Sequence, residues 1–397
     1  MSITLPLPLT RIEIDGFRGL RQLALGPLGR VNVLVGGNNS GKTSVLEAIS
    51  ILAKPTQPAA WIDMIRWRDP GGMDESRLHS LRWCFSRSVA SFAGPDELKD
   101  GSCRFKAEGG FALQQLNVAF HEISGEPSPD ERKYAARFRP EIEEQLLDQP
   151  WKGGEIVHTV LAKTYDLFFE HPIEYPAFRF WEGLPIRGRQ PNVPKDSQRT
   201  LELPCEVLAA YSYQGNIRQT SALSAASDLV DAPSLVKLLQ QFDPDVRDVV
   251  IRSSMGLRPA IYLKHARLGL APLSIFGDAM RRAVLLASTL SGLPAGGVLL
   301  MDEAEAGIHV GAQQRFFAWI LQIAKQRQVQ VFMTTHSLEA LDALLMAMPG
   351  EAADDDVVVF QLHRHQAQEP ASDQVQVKRF AGDLLHRLRF DRGLDVR

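Results

Sequence analysis

The sequence predicts an α/β fold with a parallel or mixed central sheet, because short apolar strands alternate with longer helical segments. Three runs, 31–35, 297–301 and 329–332, have the length and β-branched or apolar composition of buried strands. The segments 45–49 and 313–327, which follow in the chain, carry apolar residues at helical spacing. Strands that alternate with helices in this way favour a sheet with helices packed against it.

The most informative stretch is residues 31–50, VNVLVGGNNSGKTSVLEAIS. Residues 36–43 fit G-x-x-x-x-G-K-[ST] in full between a predicted strand and a predicted helix, which is the context of a phosphate-binding loop; the alternative is a plain glycine turn. Glycines let backbone N–H groups and a helix N-terminus surround an anion. Lys42 then contacts the β- and γ-phosphates and Thr43 offers a hydroxyl to Mg²⁺, so ATP and Mg²⁺ are the expected cofactors. The predicted nucleotide-binding residues are Gly36, Asn38, Asn39, Ser40, Gly41, Lys42, Thr43 and Ser44.

Two further strands end in residues that suit phosphate chemistry. Residues 297–303, GVLLMDE, form an apolar run that ends in two carboxylates. Asp302 is predicted to hold Mg²⁺, directly or through water, and Glu303 to polarise the attacking water as a general base. The strand at 329–332 leads to Thr334-Thr335-His336-Ser337, and a neutral His336 imidazole can hydrogen-bond a γ-phosphate. Glu303 and His336 are therefore the predicted catalytic residues.

These motifs, in this order, resemble the head domains of ABC-class ATPases. Residues 11–20, RIEIDGFRGL, are similar to the N-terminus of RecF, SMC and OLD-type ATPases. Residues 272–278, PLSIFGD, resemble the ABC signature L-S-x-x-G, and residues 302–309, DEAEAGIH, resemble the D-loop. The resemblance implies a P-loop NTPase with an antiparallel N-terminal lobe and an inserted, mainly helical region. Residues 1–60 and 231–397 would form the head, and residues 61–230 the insertion.

The resemblance also implies roles for residues outside the phosphate loop. Ser274 and Gly277, at the start of a long apolar helix, would bind the γ-phosphate of a nucleotide held by the opposite subunit. Arg18 would contact the nucleotide, although a solvated turn arginine is an equal alternative. Gln214, after the apolar run 203–211, would be a Q-loop ligand of Mg²⁺, an assignment that rests on this one residue. Glu305 would work across the dimer, with loop packing as an equal alternative.

The composition limits the cellular compartment and the classes of binding partner that we expect for this protein. Three cysteines, odd in number and far apart, predict a reducing cytoplasm without a disulfide framework or a zinc cluster. No apolar run reaches about 18 residues, so we expect no membrane span. With a net charge of −3, any contact with DNA must come from a local patch. The basic stretch 187–199 is one candidate, but a solvated loop is the favoured interpretation.

The function that the resemblance implies is ATP binding and hydrolysis by a homodimer, or higher homo-oligomer, with head-to-tail ATP sites. The pattern is most similar to stand-alone OLD-like ATPase subunits of bacterial antiphage defence, which control a separately encoded nuclease or toxin. The alternative is a RecF-like, ATP-gated DNA-binding protein of repair or recombination. An SMC-type protein is disfavoured because no long heptad segment is present. A transporter ATPase is disfavoured because transporters lack the Phe17-Arg18-Gly19 segment.

Overall fold

The computed structural model describes residues 5–57, 59–68, 76–85, 100–137, 150–163, 172–184, 201–210, 212, 232–252, 260–348, 356–365 and 374–396. The strands are β1 (Arg11–Asp15), β2 (Leu23–Leu25), β3 (Val31–Val35), β4 (Asp100–Glu108), β5 (Leu113–Gly125), β6 (Trp151–Ala162), β7 (Ile173–Glu174), β8 (Phe178–Trp181), β9 (Cys205–Leu208), β10 (Val246–Arg252), β11 (Ala260–His265), β12 (Gly269–Pro272), β13 (Val298–Met301), β14 (Gln330–Thr334), β15 (Val357–His365) and β16 (Gln374–Ala381). The helices are α1 (Lys42–Ala53), α2 (Ala59–Arg68), α3 (Arg77–Arg82), α4 (Pro129–Ala136), α5 (Ala232–Leu239), α6 (Asp278–Gly292), α7 (Val310–Arg327), α8 (Leu338–Ala347) and α9 (Gly382–His386).

The central sheet confirms the predicted mixed α/β architecture. Its six described strands run in the order β16-β15-β3-β14-β13-β9. All neighbours pair in parallel except the edge strand β16, which is antiparallel to β15. Because the parallel strands point the same way, the turns that follow β3, β9, β13 and β14 meet at one edge of the sheet. This is the edge at which open α/β sheets bind ligands.

The two faces of the central sheet belong to two different hydrophobic cores. Leu34, Leu300 and Phe332 pack with α1 and with the antiparallel sheet. Val33, Leu299 and Val331, which alternate with them, pack with residues of α6, α7 and α8. Strands covered on both faces are apolar throughout instead of alternating, as parallel strands in α/β proteins are. This explains why β13 is a continuous apolar run and why every residue of β3 is apolar except the buried Asn32.

The N-terminal lobe is the antiparallel sheet that the resemblance implied. Its described strands run in the order β2-β1-β4-β5-β6-β7, with β8 also paired to β6. β1 and β2 come from the N-terminus, whereas β4 to β8 come from the segment predicted as an insertion. One sheet therefore joins residues on both sides of the predicted boundary after residue 60.

The expectation of a mainly helical insertion is wrong for the described part of residues 61–230. Its long elements are β4, β5 and β6, whereas its helices α2, α3 and α4 are short. In these strands, apolar side chains that face the core alternate with polar side chains that face outward. Two of the positions that face the core carry polar side chains instead. Glu122 in β5 is paired with Arg82 at 2.6 Å, and His158 in β6 accepts a hydrogen bond from Trp61 Nε1 at 3.1 Å. Polar side chains at inward positions obscure the strand signal.

An aromatic cluster fixes the N-terminal turn beneath the lobe. Phe17 is fully buried and contacts Trp61 and Phe105 edge-on, with ring centroids 6.2 and 5.5 Å apart. The Phe85 ring stacks on the rings of Trp61 and Phe120, and both pairs of ring centroids are 4.9 Å apart. Edge-to-face and offset-stacked pairs of this kind stabilise beyond the area they bury. The turn that carries Arg18 is thereby held at a fixed place beside α1.

We expect the buried His158 to make folding stability depend on pH. Burial lowers the pKa of His158 to about 4. Between pH 6.5 and about 4 the unfolded chain binds a proton that the folded chain does not, so the free energy of unfolding falls as the pH falls. The slope is at most about 1.4 kcal/mol per pH unit. Urea unfolding at several pH values measures it. His158→Gln keeps an acceptor for Trp61 and should lose this slope. His121→Gln, at a partly exposed position of β5, is the control and should keep the slope. Equal slopes in both variants would contradict the assignment.

Two sequence predictions fall outside the described residues: Gln214 and the basic stretch 187–199. Among the helices that are described, none combines the length and apolarity needed to cross a bilayer.

Candidate active site

The phosphate loop joins β3 to α1 and has the backbone conformation its glycines predict. Gly41 caps α1 with φ of 99°, in the left-handed region that residues with a Cβ rarely adopt. Gly36 has φ of 150°, and a Cβ there would lie 2.4 Å from the carbonyl oxygen of Leu362. Asn38 and Asn39 are exposed, whereas Ser40 is buried. The buried Ser40 Oγ has no hydrogen-bond partner within the described residues, as expected for a hydroxyl that faces a ligand site.

Lys42 lies over this loop. Its Nζ donates to the carbonyl oxygens of Gly36 and Gly37 at 2.8 Å each. Burial lowers the pKa of Lys42, and the negative charges of Asp302, Glu303 and Glu305 oppose that change. An ammonium has three donors, so one N–H remains for an anion beside the two loop carbonyls. The loop therefore holds the cation in place before a phosphate arrives.

Asp302 and Thr43, each predicted to bind Mg²⁺, meet at the carboxyl edge of the sheet. Thr43 Oγ1 lies 3.1 and 3.2 Å from the two carboxylate oxygens of Asp302, across 259 residues of sequence. Thr334 Oγ1 donates to Asp302 Oδ1 at 2.6 Å and accepts from the backbone N–H of Glu303 at 2.9 Å. Thr334 thus fixes the carboxylate of Asp302 and the backbone of Glu303 together. Its role was not predicted from the sequence.

The residues at this edge fit a magnesium ion. Mg²⁺ prefers oxygen ligands and in phosphate-binding sites takes a hydroxyl, a carboxylate and phosphate oxygens. Thr43 and Asp302 supply the first two at neighbouring positions. The adjacent Ser40 Oγ and the N-terminus of α1 provide polar groups on the side where phosphates would lie.

His336 follows β14 and lies beside a further carboxylate. Its Nδ1 is 3.6 Å from Glu305 Oε1, and its backbone N–H is 3.4 Å from the same oxygen. The side chain of His336 is 56% exposed, whereas that of Glu305 is only 10% exposed. The mostly buried carboxylate can therefore orient an imidazole that remains accessible to a ligand. Within the subunit, Glu305 packs against the loop of His336, which is the second of the two roles considered for it from the sequence. Its role across a dimer stays a prediction.

Arg18 lies beside α1, where it forms an ion pair with a buried carboxylate. Arg18 Nε is 2.8 Å from Glu47 Oε2, and the Glu47 side chain is fully buried. Arg68, from α2, binds the same carboxylate through two nitrogens at 2.8 and 2.9 Å and donates to Ser44 Oγ at 3.1 Å. The predicted contacts of Arg18 and Ser44 with a nucleotide stay predictions. Their observed contacts join α1 to the N-terminal turn and to α2.

Ser274 and Gly277 are exposed at the start of α6. Ser274 lies in a short 3₁₀ turn, Leu273–Ile275, and Gly277 is the N-cap of α6. Within the described chain, no hydrogen bond or ion pair joins either residue to the phosphate loop. The structure therefore does not bring the predicted signature residues to the subunit's own Lys42.

Arg282, one turn further along α6, is a site residue that the sequence did not single out. It is 3% exposed and donates to the carbonyl oxygen of Glu303 at 2.6 Å and to that of Asp302 at 3.3 Å. The pair Arg281-Arg282 within a mainly apolar helix was the available signal, because a buried arginine needs specific partners. Glu47, within the apolar face of α1, was the corresponding signal for the Arg18 contact.

Asp243, Asp245 and His265 form a second group of possible metal ligands. His265 Nε2 is 3.1 Å from Asp243 Oδ2, and His265 Nδ1 accepts from the backbone N–H groups of Arg267 and Leu268. Asp245 forms an ion pair with Arg267. These contacts join the segment before β10 to the turn between β11 and β12, which accounts for the cluster as a structural one.

Comparisons with known proteins agree with this geometry. A family model described as "AAA ATPase domain" matches residues 8–146, which include the phosphate loop. A second, described as "AAA domain, putative AbiEii toxin, Type IV TA system", matches residues 184–342, which include Asp302 and His336. The DNA replication and repair protein RecF of Geobacter metallireducens is 28% identical over 159 residues, 40% of this chain and 41% of the relative. RecF of Pseudomonas syringae pv. syringae is 39% identical over 66 residues, 16% of this chain and 18% of the relative.

Among solved structures, an SMC head bound to the C-winged helix domain of ScpA aligns with a TM-score of 0.48 at 10% identity, over 96% of this chain and 99% of that chain. The chain spans less than half the length of the RecF relatives it matches. The family matches, together with the sheet order and the phosphate loop, support an ATPase of the ABC type.

Proposed function

We propose that this chain binds ATP with Mg²⁺ at the carboxyl edge of its central sheet and hydrolyses the terminal phosphate. One observation carries the proposal: Thr43 of the phosphate loop lies within 3.1 Å of Asp302, although 259 residues separate them. A hydroxyl after a phosphate-loop lysine and a carboxylate at the end of a neighbouring strand form the metal-binding pair of P-loop nucleotide hydrolases.

The loop residues bind the triphosphate by charge and by hydrogen bonds. The backbone N–H groups at the N-terminus of α1 face the phosphates, where the helix dipole favours negative charge. Lys42 adds a positive charge that Gly36 and Gly37 hold in place. Thr43 and Asp302 would hold Mg²⁺, which when bound neutralises charge on the β- and γ-phosphate oxygens.

Glu303 and His336 perform the hydrolytic step in this proposal. Glu303 accepts a proton from the attacking water, which raises the nucleophilicity of the oxygen. His336 donates a hydrogen bond to the γ-phosphate, and Glu305 orients the imidazole from its Nδ1 side. Because the His336 ring is exposed, it can meet a phosphate at the surface of the subunit.

The site is completed by a second copy of the chain. Ser274, Gly277 and the N-terminus of α6 are exposed and make no contact with the phosphate loop of their own subunit over the described residues. A hydroxyl beside a helix N-terminus suits a phosphate oxygen. We infer a head-to-tail dimer in which each α6 N-terminus binds the γ-phosphate of the partner's ATP.

Ser274→Arg is expected to leave ATP binding by one subunit within about threefold of normal, since an exposed residue away from the loop is changed. It should stop ATP-dependent dimerisation and hydrolysis, because the added side chain occupies the space of the partner's γ-phosphate. Isothermal titration and sizing chromatography with ATP measure the two effects. A Ser274→Arg protein with normal turnover would remove the signature assignment and the head-to-tail dimer.

Mixing Ser274→Arg with Lys42→Ala provides a sharper test of the shared site. Each variant alone has no intact site, whereas the mixed dimer has one, made of Lys42 from one chain and Ser274 from the other. ATP hydrolysis should return on mixing if one site can act alone. The matched control is Ser274→Arg alone at the same total protein concentration, and it should stay inactive.

In the cell, we propose that the ATP-dependent dimer controls a separately encoded effector, a nuclease or toxin, in antiphage defence. The match of residues 184–342 to a family that includes a putative toxin of a type IV toxin–antitoxin system supports this role. The RecF similarity supports the second candidate, an ATP-gated DNA-binding protein of repair. A cytoplasmic location belongs to both proposals and agrees with Cys84, Cys103 and Cys205, which are buried and free.

Copurification from native cells distinguishes the two roles. The Glu303→Gln variant, loaded with ATP, should retain partners that depend on the dimer, and Lys42→Ala is the matched control. A nuclease or toxin retained by the first variant alone favours effector control, whereas DNA retained without a protein partner favours the repair role.

A further inference from the structure

Arg282 connects the start of α6 to the two carboxylate residues of the active site. Its side chain is buried, and its guanidinium donates to three backbone carbonyls. Its Nη2 lies 2.6 Å from the carbonyl oxygen of Glu303 and 3.3 Å from that of Asp302, and its Nη1 lies 3.2 Å from that of Ala210. These carbonyls follow β13 and β9, so one side chain holds the ends of two adjacent strands against α6.

The backbone of Glu303 is strained in a way that requires this support. Glu303 has φ of 48°, in the left-handed region that side chains with a Cβ disfavour. Its N–H donates to Thr334 Oγ1 at 2.9 Å, and its C=O accepts from Arg282 at 2.6 Å. The residue is therefore held at both ends, and the direction of its Cα–Cβ bond is set by these two contacts. Sparse backbone conformations persist at functional sites only when their surroundings impose them.

We propose that Arg282 is a positioning residue for ATP hydrolysis, because it fixes the backbone from which the Glu303 carboxylate projects. The inference rests on the proposed ATPase function of the same site. Without the guanidinium, Glu303 loses the contact that holds its carbonyl, relaxes toward negative φ, and its carboxylate moves away from the attacking water. The three carbonyl acceptors of Arg282 belong to the strand ends after β13 and β9 and not to the phosphate loop, so the proposal predicts that ATP binding survives the loss of Arg282.

The same contact makes the catalytic carboxylate sensitive to the signature turn. Ser274 and Gly277 immediately precede α6, and Arg282 lies one turn inside that helix. A helix moves as a rigid body over such a distance, so a shift of the α6 N-terminus on meeting a phosphate is passed to Glu303. A nucleotide bound at one face of a subunit would thereby adjust hydrolysis at the subunit's own phosphate loop.

Arginine is chemically suited to this role and lysine is not. A guanidinium is planar and always charged, and it presents five donors in a fixed fork that can reach carbonyls on two strand ends. A lysine ammonium is a single centre on a flexible stem and cannot span the same acceptors. Arg282→Lys therefore preserves charge and approximate volume while it removes the geometry.

The test compares Arg282→Lys and Arg282→Met with the unaltered protein, measuring the ATP dissociation constant by isothermal titration and the single-turnover rate of hydrolysis. The Arg282→Lys rate should fall roughly a hundredfold, as small misplacements of a catalytic group do, with the dissociation constant within about threefold. Arg282→Met should fall at least as far. Arg327→Lys is the matched control, since Arg327 also donates to a carbonyl of α6, that of Ser291 at 3.4 Å, but far from the site; it should hydrolyse ATP normally.

Three results would overturn the proposal. Normal turnover in Arg282→Lys and Arg282→Met would show that Glu303 is positioned without the guanidinium. An equal loss of ATP binding and turnover would show a general structural role in place of positioning. If the unaltered protein binds ATP but does not hydrolyse it, the proposed ATPase function fails, and this inference fails with it. Should Arg282→Met not fold, Arg282→Lys alone decides the first two outcomes.

Discussion

Lys42→Ala is expected to weaken ATP binding about a hundredfold, because a contact between a charged donor and phosphate contributes roughly 1.5–3 kcal/mol, and about 1.4 kcal/mol corresponds to a factor of ten. The fold should persist, since within the part of the chain that the structure describes the Lys42 ammonium donates only to the carbonyl oxygens of Gly36 and Gly37. Isothermal titration with ATP and Mg²⁺ measures the change.

Lys54→Ala is the matched control for that experiment. Lys54 caps the opposite end of α1, so its removal alters the same helix without altering the phosphate loop. Its ATP affinity should equal that of the unaltered protein. Unchanged affinity in Lys42→Ala would show that the triphosphate does not lie where the loop geometry places it.

Glu303→Gln is expected to lower turnover by roughly a hundredfold to ten-thousandfold, the range over which general acid–base groups contribute. Glutamine keeps the shape of the side chain and the backbone contacts to Thr334 and Arg282, which do not involve the carboxylate. ATP binding should therefore remain. The bound dimer should persist because hydrolysis no longer resets it, and sizing chromatography with ATP should show a larger species than without nucleotide.

Glu206→Gln provides the comparison. Glu206 lies in β9, opposite Leu299 of β13, and its side chain is exposed. The same glutamate-to-glutamine change in the neighbouring strand should leave turnover unaltered. A Glu303→Gln protein that hydrolyses ATP at the normal rate would remove Glu303 as the general base.

The parts of the site that could be predicted from the sequence are those in which a recognisable strand is followed directly by residues with phosphate- or metal-binding side chains. β3, β13 and β14 were recognisable as mainly apolar runs, and each is followed by residues that suit phosphate, metal or water binding. Because the carboxyl ends of parallel strands share an edge, strand assignment is enough to explain the proximity of Thr43 to Asp302. No contact between distant residues had to be known.

The remaining contacts depend on which elements become neighbours, and a single sequence does not contain that information. Arg18, Glu47 and Arg68 come from a turn and two helices, and only the packing of the N-terminal lobe brings them together. Arg282 lay in a helix predicted to be apolar, so its three carbonyl acceptors were not foreseeable. Two strands of the lobe, β5 and β6, were missed because Glu122 and His158 occupy buried positions where an apolar residue was expected.

The pairing of β3 has a consequence for biosynthesis. The strand that leads into the phosphate loop lies between β14 and β15, whose paired residues, such as Met333 and Val359 opposite Val33, are translated roughly 300 residues later. Contacts between such distant segments form slowly because a long loop must first be closed. A ribosome-bound chain that has passed the phosphate loop but has not reached β13 therefore lacks both neighbours of β3 and the carboxylates that face Lys42. We expect nascent chains to bind ATP only after β14 and β15 have left the ribosome, so that the nucleotide can stabilise this protein late in its folding and not at its start.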